Sequence, residues 1–386
     1  MVSPKPVPPN RRVVEVSPWA KGRKIDSICS GVIPTPVSLT SKASRGLAAL
    51  DGVFLFDAYP GEGGTELWIS DGTKAGTGRL LEIGQPYWEQ NSQYPTKAGS
   101  VVFFSASGDE NGLELWRSNG TAAGTYRLSD IAAGEENAYP GFLTAMGSTL
   151  FFSANDQGDY GSELWKSDGT PAGTVMVKDI QAGSWGSSPS DMIAFNSLLF
   201  FSADDDINGN ELWVSDGTEA GTTMVKDIRP GNTGSYPGAL TAVGSVFYFS
   251  ANDGVNGSEL WKSDGTEAGT VMVKDIYSGA NGSFVRNFTV AGTQMFFTAQ
   301  DGTHGEELWV TDGTPAGTVT FRAGGAVLGT APLVGGVATL GVADLGVGVT
   351  EVTAGYDGSA THGPSSAVAE VVVTAAATSV RARVDG

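Results

Sequence analysis

The chain is poor in the side chains on which thiol and metal chemistry depend. Its 386 residues include one cysteine, Cys29, and two histidines, His304 and His362. A single cysteine cannot form a disulfide within the chain, and this composition argues against a Cys/His zinc site. Neither histidine has a candidate nucleophile nearby in the sequence, so a Ser-His-Asp triad is not supported. No apolar run is long enough to be predicted to span a membrane as a helix.

Positive charge is also scarce. The chain has 23 lysines and arginines against 42 aspartates and glutamates, a formal net charge of −19, and eight of the basic residues lie within positions 1–45. An acidic body without a basic stripe argues against nucleic acid and anionic membranes as partners. The first residues, MVSPKPVPPNRR, lack the apolar core of a signal peptide, so none is expected within this chain.

Repetition, by contrast, is abundant, because the tripeptide Glu-Leu-Trp occurs six times at intervals of 48 or 49 residues. The six tryptophans are Trp68, Trp116, Trp165, Trp213, Trp261 and Trp309. A fixed period of this length indicates supersecondary units that stack because none of them buries its apolar face alone. We call them units one to six, in chain order.

Each unit is predicted to contain four short antiparallel strands. In unit five, residues 240–243 precede the two-residue turn Gly244-Ser245, and the next run, 246–251, is apolar at consecutive positions. A strand of that kind is buried on both faces, as in blades that pack face to face. A Ser-Asp-Gly-Thr turn, or a close variant, follows every Glu-Leu-Trp and leads to the last strand. The pattern predicts an all-β fold, a β-propeller of about six four-stranded blades.

The repeated sequence FFSAxDGxxGxELWxSDGTxAGTxxVKDI resembles the ELWxxDGT repeats of large bacterial surface and secreted proteins. The resemblance extends over positions 40–320, and its Ser-Asp-Gly-Thr turn is similar to the Asp-box of sialidase-like propellers. What the resemblance implies is a secreted or surface location; it brings no established enzymatic activity.

The pattern changes after position 317. The segments GTVTF, LGTAPLVGGVATL and VTAGYDGSA resemble a bacterial Ig-like repeat domain, a β-sandwich, without its opening strands. We therefore expect a Pro-rich, basic segment at 1–38, the propeller at 39–318 and a truncated Ig-like β-sandwich at 319–386. Unit six lacks a fourth strand like the VKDI of units three to five. Residues 13–16 are a candidate to supply that strand and to close the ring.

Two repeated features invite a functional interpretation. The glutamates of Glu-Leu-Trp could line a channel, but identical copies fit hydrogen bonding within the fold better than catalysis, which needs an asymmetric acid and base. The repeated tryptophans could stack on sugars, but one per blade fits a wedge between neighbouring blades. Trp88 and Trp185 occur singly in variable stretches between units, so they are the ligand-binding candidates.

The loops before Glu-Leu-Trp are rich in aspartate and asparagine. Their spacing shifts between units and lacks the EF-hand order, which favours turns that satisfy their own backbone. Calcium bound at Asp205, Asp253 or Asp301 is the alternative interpretation. No catalytic residue and no other cofactor is predicted.

The function that the sequence favours is a non-enzymatic binding or scaffold module of a secreted or cell-surface bacterial protein. Near-identical units with divergent loops are typical of a rigid platform that presents a glycan-binding or protein-binding surface. The alternatives are a propeller enzyme of the glycosidase or lyase type and a structural spacer in a long surface protein.

Overall fold

The computed structural model of the chain divides into two compact parts, Met1–Val32 and Ile33–Gly386. It describes residues 47–58, 66–83, 95–107, 112–292, 294–303, 305–311, 316–323, 326–334, 337–339, 348–356, 365–373 and 381–382, all in the second part. Throughout these ranges the chain is strand and connection, and no helix is long and apolar enough to cross a membrane. The all-β prediction is confirmed.

Units one to five each form one four-stranded antiparallel sheet whose strands pair in chain order. In unit one the strands are β1 Leu47–Leu50, β2 Val53–Ala58, β3 Glu66–Ser70 and β4 Gly78–Glu82, and in unit two they are β5 Thr96–Ala98, β6 Val101–Ser107, β7 Leu113–Ser118 and β8 Tyr126–Arg127. Unit three has β9 Gly141–Met146, β10 Thr149–Asn155, β11 Ser162–Ser167 and β12 Val175–Lys178, and unit four has β13 Ser190–Phe195, β14 Leu198–Asp204, β15 Asn210–Ser215 and β16 Thr223–Lys226. Unit five has β17 Gly238–Val243, β18 Val246–Asn252, β19 Ser258–Ser263 and β20 Val271–Lys274. These sheets have the strand number and order of propeller blades, as predicted.

The turn between the first and second strands explains how each unit begins. Its first residue has a positive φ, between 43° and 65°, in all six units: Asp51, Gly99, Gly147, Asn196, Gly244 and Gly292. Only glycine, asparagine and aspartate adopt this conformation readily, which is why the sequence restricts the position to them. The second strand that follows is buried at consecutive positions, as in β10 and β14. It lies between two neighbouring sheets, and the prediction of burial on both faces is confirmed.

Apolar side chains of adjacent units form a separate core at each junction between them. Trp213, only 6% exposed, packs in one such core with Phe151 and Leu164 of unit three and with Phe201 of its own unit. The predicted wedge role is confirmed for the tryptophans of units two to six, which all pack in these cores. A lysine reinforces the junction, because the Lys178 ammonium lies 5.9 Å from the Trp213 ring centroid and donates to the next unit.

Unit six joins the C-terminal region in one sheet. Its strands are β21 Arg286–Ala291, β22 Gln294–Gln300 and β23 Glu306–Thr311, and the Ig-like region that follows has β24 Ala316–Ala323, β25 Ala326–Val334, β26 Val337–Thr339, β27 Gly348–Tyr356, β28 Ser365–Val373 and β29 Arg381–Ala382. The order in this sheet is β21-β22-β23-β26-β25-β24-β27-β28-β29. The boundary expected at position 318 is therefore not a break in the sheet.

The fourth-strand position of unit six is taken by the Ig-like region. β26 pairs with β23 so that Thr339 lies opposite Trp309, as Met224 lies opposite Trp213 in unit four. Residues 13–16, the candidates for this position, lie outside the described residues. In the described residues, β26 occupies this edge of β23. The hypothesis that the N-terminal segment closes the ring stays a prediction.

Successive units have the same orientation. Each first strand contacts the first strand of the next unit, from β1 through β5, β9, β13 and β17 to β21, so the first strands lie innermost. Equivalent residues meet across these contacts: the Asp191 carboxylate accepts a hydrogen bond from the Ala239 N–H, 48 residues later, at 2.9 Å. Within the described residues the sheets do not close into a ring.

Candidate functional site

The antiparallel strand order divides the connections of every unit between two faces. The turn between the first two strands and the Ser-Asp-Gly-Thr turn lie on one, which we call the turn face. The loop between the second and third strands, and the linker from the fourth strand to the next unit, lie on the other. We call it the entry face, because there the chain enters each first strand. The segments that vary between units lie on the entry face.

The turn face is occupied by self-contained turns. In unit three, Asp168 Oδ1 accepts hydrogen bonds from the Thr170 N–H at 2.9 Å and the Thr170 hydroxyl at 2.7 Å, and the Ser167 and Thr174 hydroxyls lie 2.8 Å apart. The donations by Thr170 hold the pKa of Asp168 below its usual value. The same bonds recur in units one, four and five. The predicted Asx-turn is confirmed, and the side chains of its aspartate and threonines are used within the turn.

The glutamate of Glu-Leu-Trp anchors the linker on the entry face. Glu163 is fully buried on β11 and accepts hydrogen bonds from the N–H groups of Ile180 and Gln181 at 3.1 Å. It also accepts from the Ser187 N–H at 2.8 Å and the Ser187 hydroxyl at 2.6 Å. Units four and five repeat this arrangement. The hydrogen-bonding interpretation is confirmed for these units, and a channel ring is wrong for them because the carboxylates are buried within the sheets.

The ionisation of these glutamates follows from their donors. Burial raises the pKa of Glu163, and the hydrogen bonds that it accepts, first that of the Ser187 hydroxyl, oppose the rise. In unit two, Ala138 stands where Ser187 stands in unit three, so no hydroxyl donates to the equivalent Glu114. Burial raises the pKa of Glu114 to about 7. A buried carboxyl with fewer donors is expected to protonate more readily.

The residue after Ala138, Ser187, Ser235 and Ser283 is presented to solvent in a left-handed backbone conformation. These residues, which we call the entry positions, are Tyr139, Ser188, Tyr236 and Phe284, with φ between 47° and 52°. The aromatic side chains are 46%, 63% and 61% exposed, whereas the next residue is buried in every case. A positive φ is costly for a bulky residue, about 1–3 kcal/mol, and persists only where the surroundings impose it.

A second left-handed residue follows inside the first strands of units three to six. Phe142, Asp191, Ala239 and Asn287 have φ between 49° and 59°. They lie where the pairing with the second strand shifts register, as between Ser190 and Ile193. Because the equivalent residues Asp191 and Ala239 meet across adjacent units, the entry positions three residues earlier lie in sequence along the same end of the inner strands.

Exposed apolar side chains concentrate on the entry face. Among the described residues, nine large apolar side chains are exposed, and the seven on the entry face are Tyr139, Tyr160, Trp185, Ile207, Tyr236, Val255 and Phe284. The other two, Val175 and Val271, begin fourth strands next to the turn face. Trp185, a sequence candidate, is 85% exposed in the linker after unit three. The other candidate, Trp88, lies outside the described residues.

The calcium candidates are engaged in local turns. Asp205 Oδ1 accepts from the N–H groups of Ile207 and Asn208 at 3.0 and 2.7 Å, and Oδ2 accepts from the Asn208 amide at 2.8 Å. Asp253 repeats this pattern, and Asp301 accepts from Thr303. Desolvation of the Asp205 carboxyl acts to raise its pKa. The hydrogen bonds that Asn208 donates outweigh this effect and lower the pKa of Asp205. In the described part of the chain, no three acidic, histidine or cysteine side chains are grouped to hold one metal ion.

Sequence reasoning did not single out the entry positions. It identified Trp185 by its solitary occurrence, but Tyr139, Tyr236 and Phe284 recur at the period of the repeat and look like part of the scaffold. The signal that was available is the change of residue type, because Ser188 occupies the same position in the linker that leads into unit four. At this position the side chain changes between units while the backbone φ stays nearly the same. The packing of the fold therefore does not require a particular side chain there.

Residues 242–375, less than half of the chain, match the family model described as bacterial Ig-like domain (group 3). The match begins within unit five, whereas the sequence pattern placed the start of the Ig-like region at 319. The chain has no match among curated proteins.

Solved structures of peptidases are similar to the chain at low identity. A prolyl endopeptidase shares 11% identity over 89% of this chain and 50% of that chain, with a TM-score of 0.46. A puromycin hydrolase mutant shares 14% over 79% and 48%, with a TM-score of 0.39. Prolyl oligopeptidase B from Galerina marginata shares 10% over 80% and 46%, with a TM-score of 0.42. The chain spans about half the length of each, and these values carry no argument about its activity.

Proposed function

We propose that the chain is a non-enzymatic binding module of a secreted or cell-surface bacterial protein, and that its entry face binds a protein or glycan ligand. The observation that carries the proposal is the concentration of exposed, large apolar side chains on this face. Large apolar side chains that are exposed together on one face of a domain mark sites of interaction more often than they serve folding.

Unit four shows that folding does not require the aromatic side chains. Ser188 has a φ of 49°, within 3° of the values at Tyr236 and Phe284, and it is exposed like them. Leaving apolar surface in water forgoes about 25 cal/mol for each Å² that could have been buried. An aromatic side chain at a position where serine suffices is therefore best explained by contact with a ligand.

The scaffold beneath these side chains is suited to binding. The buried carboxylates of Glu163, Glu211 and Glu259 hold the residues that precede Ser188, Tyr236 and Phe284. A surface held in one conformation before binding loses less conformational entropy when the ligand arrives. Similar blades with different side chains at equivalent points thus provide a preorganised and asymmetric surface.

Two similarities support the location. The C-terminal part matches a bacterial Ig-like domain, and the repeats resemble the ELWxxDGT repeats of bacterial surface and secreted proteins. A surface or secreted protein meets glycans and other proteins as its natural partners, which agrees with an exposed binding face.

The test replaces the three aromatic entry residues with the serine that unit four uses: Tyr139→Ser, Tyr236→Ser and Phe284→Ser in one variant. The control changes Val175 and Val271 to threonine, the residue at the equivalent position of β16. Native protein and both variants are applied to a glycan array and to a panel of immobilised extracellular proteins. Binding by the native and control proteins, lost in the serine variant, is the expected result. Binding retained by the serine variant would overturn the assignment of the ligand to the entry positions. No binding by any of the three proteins would favour a structural spacer.

A further inference from the structure

We infer that the entry face binds a positively charged polypeptide segment, in which arginine or lysine alternates with apolar side chains. This inference rests on the proposed function and specifies the chemistry of its ligand. It follows from the charge of the face together with the residues that carry its apolar side chains.

Carboxylates outnumber basic groups among the described residues of the entry face. Acidic residues of its loops and linkers include Glu135, Glu136, Asp156, Asp159 and Asp206. Of the arginines there, Arg286 forms an ion pair with Glu306 at 2.5 Å and Arg127 forms one with Asp130 at 2.6 Å, while Arg229 lies in the linker after unit four. The face therefore has an excess of negative charge that its own cations do not neutralise, in a chain whose net charge is −19.

In two of the loops an acidic residue directly precedes the exposed apolar one. Asp159 precedes the exposed Tyr160, and Asp206 precedes the exposed Ile207 at the tip of the next loop. Arginine and lysine fit such a surface, because their alkyl stems cover apolar side chains while the charged group reaches a carboxylate. The faces of exposed tyrosine, tryptophan and phenylalanine attract the same cations.

The same observations disfavour other classes of ligand. A polyanion is repelled by the net charge, and a neutral glycan stacks on the aromatic rings without using the excess of carboxylates. A cationic segment uses both features, and electrostatic attraction also speeds its encounter with the face. Charge complementarity thus selects a cationic polypeptide over a sugar.

The first probes are three labelled peptides of equal length that share tyrosine and leucine positions. Their remaining positions are all arginine, all glutamine or all glutamate. A panel of neutral oligosaccharides is the second kind of probe. Affinity is measured by fluorescence anisotropy at about 0.05 M and 0.5 M salt, since screening weakens attraction between exposed charges. We expect the arginine peptide to bind at least about tenfold more tightly than the glutamine peptide at low salt, a difference of about 1.4 kcal/mol. We expect that difference to shrink at high salt.

Two variants assign the binding to the entry face. Asp159→Asn with Asp206→Asn removes two charges there, and Glu219→Gln with Glu267→Gln removes two on the turn face, so the net charge is matched. The arginine peptide should bind about tenfold more weakly to the first variant and to the triple serine variant, but not to the second. Circular dichroism and thermal unfolding confirm that each variant is folded.

The outcomes separate this inference from the proposed function. Binding of a neutral oligosaccharide that is insensitive to salt and lost in the triple serine variant would overturn the cationic ligand and retain the binding face. Equal weakening by the two charge variants would show attraction to net charge alone, and would also overturn the inference. If no probe distinguishes the serine variant from native protein, the proposed function fails as well.

Discussion

Replacing Trp213 with alanine tests the packing that holds adjacent blades together. The side chain is 6% exposed and lies in a core with Phe151, Leu164 and Val177 of the preceding unit and Phe201 of its own. Its removal leaves a cavity between two sheets that are fixed by their own hydrogen bonds. The neighbouring side chains therefore cannot collapse fully into the space, and the loss of stability includes a cavity contribution.

The magnitude follows from the buried area. An aromatic side chain buries about 150–250 Å², which at about 25 cal/mol per Å² corresponds to about 4–6 kcal/mol as an upper estimate. Alanine retains the first carbon of the side chain, and Lys178 loses its contact with the ring. We therefore expect the free energy of unfolding to fall by about 3–5 kcal/mol, as for other tryptophan-to-alanine changes in cores.

Equilibrium unfolding in urea, followed by far-UV circular dichroism, measures this change without depending on tryptophan emission. The slope of the transition must be compared as well, because stacked units can unfold in steps. Trp185→Ala is the control: its side chain is 85% exposed, so the expected change is under about 0.5 kcal/mol. Similar losses in the two variants would refute the wedge, and a loss below about 1 kcal/mol for Trp213 would show that the junction repacks.

Three further predictions concern pH, metal and backbone. Because burial raises the pKa of Glu114 from 4.5 to about 7, its contribution to stability is full below pH 4.5 and is lost as the pH rises through 7. Thermal unfolding across this window should therefore depend less on pH in Glu114→Gln, and an unchanged slope would contradict the assignment. Removing calcium with a chelator should leave the unfolding midpoint almost unchanged, because the Asp205 carboxylate already accepts hydrogen bonds from its own turn. A calcium site would instead add about 2.7 kcal/mol to the free energy of unfolding at a calcium concentration about a hundredfold above the dissociation constant. Asp205→Ala would then abolish that stabilisation. Gly209→Ala should destabilise by more than about 1 kcal/mol, since the added carbon would lie 2.4 Å from the Gly234 nitrogen at a φ of 72°. Gly231→Ala, where φ is 101° and the space is open, should cost less in the same denaturation experiment, and the reverse order would argue against the close approach.

The repeat itself could be derived from the sequence, because its determinants are local. The turn before the second strand needs a residue that tolerates positive φ, and the sequence shows one in every unit, from Asp51 to Gly292. Consecutive apolar residues in β10 and β14 indicated burial on both faces, and one tryptophan per unit indicated a wedge. Backbone conformation and apolar periodicity depend on neighbours within a few residues, so they can be recognised without the fold.

The surface and the last blade required the tertiary structure. The exposure of Tyr139, Tyr236 and Phe284 depends on a linker that Glu114 and its counterparts hold from residues about 17–24 positions away, so the sequence around each aromatic does not reveal it. Likewise, the pairing of Thr339 with Trp309 joins segments whose separation along the chain is not specified by any local pattern. The partner of a strand depends on which sheet edges remain unpaired after the other strands have docked. The side of the sheet on which a loop emerges depends on the same pairing. Both are properties of the assembled sheets.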